Sequence, residues 1–519
     1  MGHNTVPAPN RFLPIVPLTG WHFPAASLML GSAMAFSLIK SIFRRMKPSA
    51  NNLSTPNRSG SPNDFYAEGI LSAKQGNVER ALQLFETVLA ENPRHYLAYV
   101  GMGNVYYLKG DYTNAIDRFQ KAFELEPDSP ALLINYGNAL RFLGKPELAL
   151  PLASKATDLA AENPDYLTNL ALVYQDLGQM EQAKACFMSA LRLSPSHVDA
   201  RLHFALLHLL RGKLDLGWPD YELRLVKNDP PVRQTSYPRW AGQRADGGLL
   251  IYAEQGVGDE IMFASCINDA LQLVKNCVID CSPKLASLFQ RSFPGALVIG
   301  EPQDTDLDSV QCPWDITFAA PIGSLPLLFR KTIDDFPIHS GYLKTDSQRA
   351  LVWKSRIEAL GPGLKVGISW RGGTPKTRGH LRSIPLAEWS SLIQKPGLHF
   401  VSLQHGVNGS ELDALRCEAG ERIHYWPGIG DDLDEAAAII ENLDLVISVD
   451  NTVVQLAGAL GQPTWALVPA CPEWRYLAQG EVMPWYPSVR IFRQTQLGDW
   501  SKVFSTLVDL IDTQSFMRS

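Results

Sequence analysis

Charge is scarce in this chain, and positive charge is nowhere concentrated. Charged residues make up 19% of 519 positions, Lys and Arg number 47 against 53 Asp and Glu, and the formal net charge is −6. No long basic block occurs, which excludes nucleic acid as the main partner, because a phosphate backbone is held by clustered Lys and Arg. Cysteine is sparse too. The seven (Cys186, Cys266, Cys277, Cys281, Cys312, Cys417, Cys471) are odd in number, scattered and mostly inside apolar runs, so they read as reduced core thiols of a cytoplasmic protein. Cys277 and Cys281 stand four apart with no matching second pair. No His-x-x-x-His or paired-Cys arrangement points to a metal, and none is expected. What is plentiful is apolar side chain: at 45% hydrophobic the chain can bury large cores, divided over about three domains.

Residues 1–61 form an N-terminal tail with two open readings. Phe23 to Ile39 is an apolar run followed by Lys40, Arg44, Arg45 and Lys47, which suits an anchor in the inner membrane with its C-terminal side in the cytoplasm. The run is short for a span, and its flanking charges follow rather than precede it, opposite to a secretory signal. The other reading starts translation at Met46. Pro48 to Pro62, rich in Ser, Asn and Pro, is a flexible lead-in.

From residue 62 to 227 the chain is periodic. Gly69, Gly103, Gly137 and Ala171 recur every 34 residues, as do Gly76, Gly110, Gly144 and Gly178, and Ala81, Ala115, Ala149 and Ala183. Phe85, Phe119 and Phe187 keep the register, with Ala153 in the third unit, and Pro93, Pro127 and Pro195 close three units. The spacing and residue types resemble the tetratricopeptide repeat, a helix-turn-helix unit in which small residues let two helices approach. One such unit cannot bury its apolar face, so four stack into a solenoid with a concave groove suited to a protein partner or acceptor. Gly212 and Tyr221 carry the register into a capping unit, Ser196 to Lys227, marked by Gly217-Trp218-Pro219.

After a linker at 228–247 the pattern changes to short apolar runs alternating with helical segments, giving an α + α/β chain. Leu249–Ala253, Cys277–Asp280, Ala296–Ile299 and Asp315–Ala319 read as parallel strands of one half, 248–345. Lys365–Trp370, His399–Leu403, Ile423–Trp426, Leu445–Val449 and Thr464–Val468 belong to a second, 346–519, with helices such as Leu433–Asn442 and Val453–Leu460. Two doubly wound halves imply a cleft at the C-terminal ends of their strands. Ala253 to Glu260, AEQGVGDE, lies on that cleft: the turn at Gly256 and Gly258 feeds an expected helix, Glu260 to Lys275. Its bare N–H groups favour an anion, and Asp259 in the first turn places a carboxylate there that is a candidate base, or simply a cap.

The order EQGVGDE (254–260), VGISWRGG (366–373), LRSIPL (381–386), FVSLQHG (400–406), SVDNTVVQLAGALGQPTW (448–465), EWRYL and MPWYPSVRIFRQ resembles the ADP-heptose-using lipopolysaccharide heptosyltransferase family. That family has the GT-B architecture of two Rossmann-like halves, shared by the tetratricopeptide-containing O-GlcNAc transferases. The resemblance implies metal-independent sugar transfer from a nucleotide-sugar co-substrate, with no further cofactor, and it aligns Asp259 with the family's proposed base. Asp450, Asn451 and Thr452 open a helix whose free N–H groups would hold the donor diphosphate, with Gln455 where the family commonly has His. Arg382, matching the family's Arg-Ser-Ile/Leu-Pro motif, would neutralise the leaving group. Gln404 ends a strand at the cleft edge where ribose or base would lie, Trp370 is a cleft wall, and Arg371 stands in the loop after it. Trp474, Arg475 and Tyr476 would either close over a nucleotide or pack beneath the last strand. Gln455 and the altered loop Arg378 to His380 leave a second reading open, a repeat scaffold carrying a non-catalytic transferase fold. A sugar-nucleotide epimerase of the same architecture is a third.

Overall fold

The computed structural model describes residues 61–227, 233, 235–302, 305–374 and 377–513. The apolar run at 23–39 and Met46 lie outside them. Among the described residues no helix is long and apolar enough to cross a membrane. They divide into two compact units, 61–173 and 174–513, and the division falls inside the helix Pro164–Asp176, well before the composition change at 228.

The first unit is built of helix pairs: Pro62–Lys74 with Val78–Glu91, Tyr96–Lys109 with Tyr112–Leu125, and Pro130–Phe142 with Pro146–Leu159. The glycine between the helices of each pair is left-handed, with φ of 78° at Gly76, 80° at Gly110 and 79° at Gly144. A Cβ is strained in that conformation, which explains one of the 34-residue series. Close approach explains another. A Cβ on Gly69 would stand 2.7 Å from the Phe85 ring, and one on Gly103 2.6 Å from the Phe119 ring. In the third pair Ala153 replaces the Phe, and the nearest atom to a Cβ on Gly137 is 3.6 Å away. Phe85 and Phe119 are fully buried, each contributing about 1.5–3 kcal/mol.

The second unit begins with helices Met180–Leu193, Val198–Leu210, Leu214–Tyr221 and Arg224–Lys227. Gly217 is required because its Cβ would meet Leu209 at 2.5 Å. Trp218, 1% exposed, donates its indole N–H to the Arg330 carbonyl (2.7 Å) and sits edge-on to Trp474 at 5.5 Å. Tyr221, Phe263 and Trp485 extend that aromatic cluster. Arg224, equally buried, donates to Glu254 and Glu222 (2.8 and 2.7 Å). The capping helices are thus packed into the α/β part by aromatic and ionic contacts.

Two sheets follow. The first is wholly parallel, in the order β3-β2-β1-β4, from β1 (Ala245–Tyr252), β2 (Val274–Cys281), β3 (Leu297–Gly300) and β4 (Ile316–Pro321). The second contains β5 (Leu364–Ser369), β6 (Leu398–Ser402), β7 (Ile423–His424), β8 (Leu445–Val449), β9 (Thr464–Val468), β10 (Val482–Met483) and β11 (Tyr486–Arg493). Its order is β10-β11-β9-β8-β5-β6-β7, parallel except that β10 runs antiparallel to β11. Val366, Ile368, Phe400, Ile447, Val449 and Leu467 form its core with Phe504 and Leu507 of the final helix, Ser501–Thr513.

Three expectations are corrected. The helix expected from Glu260 to Lys275 is a helix Val257–Phe263, a 3-10 turn Ala264–Cys266 and a short helix Ile267–Leu271, after which Val274 is already in β2. The Ser265 carbonyl there accepts from Arg330 (3.1 Å) and the Ile261 carbonyl from the Tyr342 hydroxyl (2.6 Å), side-chain partners that a sequence pattern does not display. The strand expected through Trp426 ends at His424, while β10 and β11 have no counterpart in the sequence reading because Pro484 and Pro487 interrupt the apolar pattern. The seven cysteines are free thiols, but only Cys266, Cys277 and Cys281 are buried; Cys417 is exposed.

Candidate functional site

The loop after β1 and the loop after β8 meet. Gly256 caps the Val257–Phe263 helix, its carbonyl accepting from the N–H groups of Asp259 and Glu260 (2.9 and 3.0 Å). A Cβ on Gly258 would stand 3.5 Å from the Gln455 Cγ and the Thr452 Oγ1, so the two helix starts are in near contact. At that meeting point Asp259, 7% exposed, accepts from Arg475 Nη2 at 2.6 Å. Asp450 accepts from Arg382 Nη1 (3.1 Å) and from the Tyr476 hydroxyl (2.9 Å), with Arg475 Nη1 3.9 Å away. Arg382 Nη2 donates to the Thr377 carbonyl and hydroxyl (3.2 and 3.0 Å).

Glu473 joins this group electrostatically, which makes three carboxyls around two guanidiniums. Burial pushes the Asp259 carboxyl above its ordinary range, opposed by Arg475 and reinforced by Asp450. Glu473 is likewise raised by burial, against the pull of Arg382 and Arg475. Both guanidiniums are held more firmly protonated, since their acidic neighbours outweigh the burial that acts against their charge. A carboxylate raised in this way and held among fixed cations has the character of a proton acceptor, and the cations suit a developing negative charge.

The other expected residues divide between this centre and its framework. Thr452 begins the helix Thr452–Ala459, and Asn451 caps it, accepting from the Val453 N–H (2.9 Å). Its amide also donates to the Ser369 hydroxyl (2.7 Å) and the Arg371 carbonyl (3.0 Å), tying the end of β8 to the end of β5. Gln455 is buried with its amide donating to the Tyr476 hydroxyl (3.3 Å) and its carbonyl accepting from the Tyr486 hydroxyl (3.0 Å). Gln404 holds the loop after β5: its carbonyl accepts from the Ser369 hydroxyl and the N–H groups of Trp370 and Arg371, and its amide donates to the His405 carbonyl. Trp370 lies in the second core with its indole N–H on Glu411 (3.1 Å), and Arg371 pairs with Glu411 (2.6 Å) rather than joining the Asp259 group.

Arg475, Tyr476 and Glu473 are the members that sequence reasoning left between two roles or did not single out. Their signal was one buried-looking turn, EWRY, carrying both charges between two Trp-bearing stretches.

Residues 66–130 and 102–165 match one tetratricopeptide repeat model, and 164–197 match another. Protein FlbA of Caulobacter vibrioides (strain ATCC 19089 / CIP 103742 / CB 15) is 35% identical over 311 residues, which cover 57% of this chain and 52% of FlbA. The chain therefore spans about half the length of that curated relative. Among solved structures, YrrB, a TPR protein with an unusual peptide-binding site, is 22% identical with a TM-score of 0.28, over 33% of this chain and 87% of that one. PilF of Pseudomonas aeruginosa is 22% identical with a TM-score of 0.30, over 32% of this chain and 76% of its own.

Proposed function

We propose that this tetratricopeptide-repeat protein is a glycosyltransferase of GT-B type, moving a sugar from a nucleotide-diphosphate donor to an acceptor hydroxyl, with the repeats engaging a protein partner or acceptor. The observation that carries the reading is the convergence of Asp259, from the first half, with Asp450, Arg382 and Arg475, from the second, on one buried centre. In the proposed step Asp259 takes the acceptor hydroxyl proton as the acceptor oxygen bonds to the anomeric carbon. The bond from that carbon to the donor phosphate breaks, and the nucleoside diphosphate leaves with the electron pair. Arg382, Arg475 and the N-terminus of the Thr452–Ala459 helix meet the charge that grows on it. Arg475 has a second task, because it holds Asp259 while no diphosphate is present and frees the carboxylate when it turns to the phosphate.

The test is Asp259→Asn, which keeps shape and hydrogen bonding to Arg475 but accepts no proton. Transfer is expected to fall about 10² to 10⁴-fold with donor affinity kept or raised, since Arg475 is then held less tightly, measured on one preparation after a thermal-shift screen of UDP-, ADP- and GDP-sugars selects the donor. Turnover preserved in the variant removes Asp259 from the chemistry. A non-catalytic scaffold is the second reading, favoured by Asp259, Asp450 and Gln455 all having protein partners in the closed centre. It predicts no turnover by the unmutated chain with any of the three donor classes.

A further inference from the structure

The altered loop Arg378 to His380 is held by a residue that lies far from it in the chain. Tyr174, Gln175 and Asp176, the last residues of the helix Pro164–Asp176, belong to the second unit. Asp176 ends that helix with a side chain only 5% exposed, where the negative end of the helix dipole disfavours a carboxylate. A cation compensates: Arg378 Nη1 donates to Asp176 Oδ1 at 2.8 Å. The neighbouring Gln175 carbonyl accepts from the Cys471 thiol (3.2 Å), in the loop that leads to Glu473 and Arg475. The Leu210 carbonyl, at the end of the helix Val198–Leu210, accepts from the Ala478 N–H (2.7 Å), just past Tyr476. Two helix ends thus hold the two loops that bring guanidiniums to the Asp259 centre.

Among the described residues Arg378 and Leu477 are the non-glycine positions with positive φ, and Arg378 is left-handed, with φ 55° and ψ 37°. A side chain is strained in that conformation, so contacts beyond the local turn must hold it. From there the chain enters the 3-10 turn Gly379–Arg382, the Leu381 N–H donating to the Arg378 carbonyl (2.9 Å). The turn is closely wound. The Gly379 N–H donates to the Thr374 carbonyl (2.7 Å), and a Cβ on Gly379 would stand 2.7 Å from the Gly372 carbonyl oxygen. Arg382 closes the turn and reaches Asp450 and Thr377. Burial works against the Arg378 charge, but Asp176 outweighs it, with Cys471 and Glu473 adding to the effect, so the guanidinium stays firmly protonated. Loss of the Asp176 contact lets this backbone leave the left-handed region, and the direction of Arg382 changes with it.

We propose that Asp176 is a positioning residue: by holding Arg378 in its left-handed conformation, it fixes the 3-10 turn that aims Arg382 at the donor diphosphate. The effect on the donor rests on the assignment of Arg382 to that diphosphate, whereas the fixing of the turn does not. Hydrogen exchange of the full chain without nucleotide should show the Gly379 and Leu381 amides exchanging at least about tenfold faster in Asp176→Asn than in the parent. Titration with UDP, ADP and GDP should show the diphosphate that the parent binds held about tenfold more weakly by Asp176→Asn, with the melting temperature nearly kept. Adding Asp176→Asn to Arg382→Ala should cost no further affinity, whereas a residue that only supports the fold would weaken both backgrounds equally. The double variant D176N/R378Q strands no charge, should behave as Asp176→Asn does, and decides the matter if the single variant does not fold. Unchanged exchange, unchanged affinity in Asp176→Asn, or an equal loss in the Arg382→Ala background would overturn the proposal. A parent that binds none of the three diphosphates removes Arg382 from donor binding instead, and exchange alone then decides whether Asp176 fixes the turn.

Discussion

Asp259 and Glu260 are adjacent acids in one helical turn, and their surroundings separate them. Asp259 is paired with Arg475, whereas Glu260, 1% exposed, accepts the Ser282 N–H (2.8 Å) and among the described residues has no donor for its Oε1. Burial, with Glu254, Asp280 and Asp259 nearby adding to it, pushes the Glu260 carboxyl up to about 8, so it is largely protonated near neutrality. The consequence for stability has a definite sign. Between the ordinary value of 4.5 and about 8 the folded chain binds the proton that the unfolded chain has released, so stability falls as pH rises through that window. Glu260→Gln should therefore match the parent below about pH 4 and exceed its stability by on the order of 5 kcal/mol at about pH 9. Urea unfolding across that range checks it, and a difference that does not change with pH would show that Glu260 does not titrate there. The sequence displays both acids and their helical spacing. Which one has a guanidinium beside it depends on a residue 216 positions away.

At the scale of elements, the repeats offer a matched pair of positions. Gly103 and Gly137 hold the same place in successive units, but Gly103 faces the Phe119 ring and Gly137 faces the space left by Ala153. Gly103→Ala brings a Cβ to within 2.6 Å of a fully buried ring, at an expected cost of about 2 kcal/mol. Gly137→Ala meets only ordinary contacts at 3.6 Å and gains helix propensity, so it should stabilise by about 0.5–1 kcal/mol. Chemical denaturation followed by helical signal measures both; equal effects would mean that the Phe119 ring yields. This much was legible beforehand, since the 34-residue register places the small residue and the aromatic in one local unit. The broken helix after Phe263 was not, because Arg330 and Tyr342 take its carbonyls from distant stretches.

At the scale of the whole molecule, the compact division at 173/174 groups the capping helices with the α/β part. A fragment from residue 164 keeps Trp218, Tyr221 and Arg224, and it should unfold in a cooperative transition. A fragment from residue 228 uncovers Trp474 and leaves Glu254 without Arg224, so it should melt about 10 °C lower or bind an apolar dye when folded; equal melting of the two would show that the cap is dispensable. The sequence by itself determined the repeats, the α/β character of the part that follows them and most strand positions, because helix pairing, left-handed glycine turns and short buried strands are written in residues near one another. The tertiary structure decided the rest. It committed Gln404 and Gln455 to holding loops and tyrosines, drew Arg475 and Tyr476 to Asp259 and Asp450, and buried the cap's Trp218 against Trp474. Those outcomes depend on which charges and rings share a desolvated space, and chain separation alone does not encode that proximity.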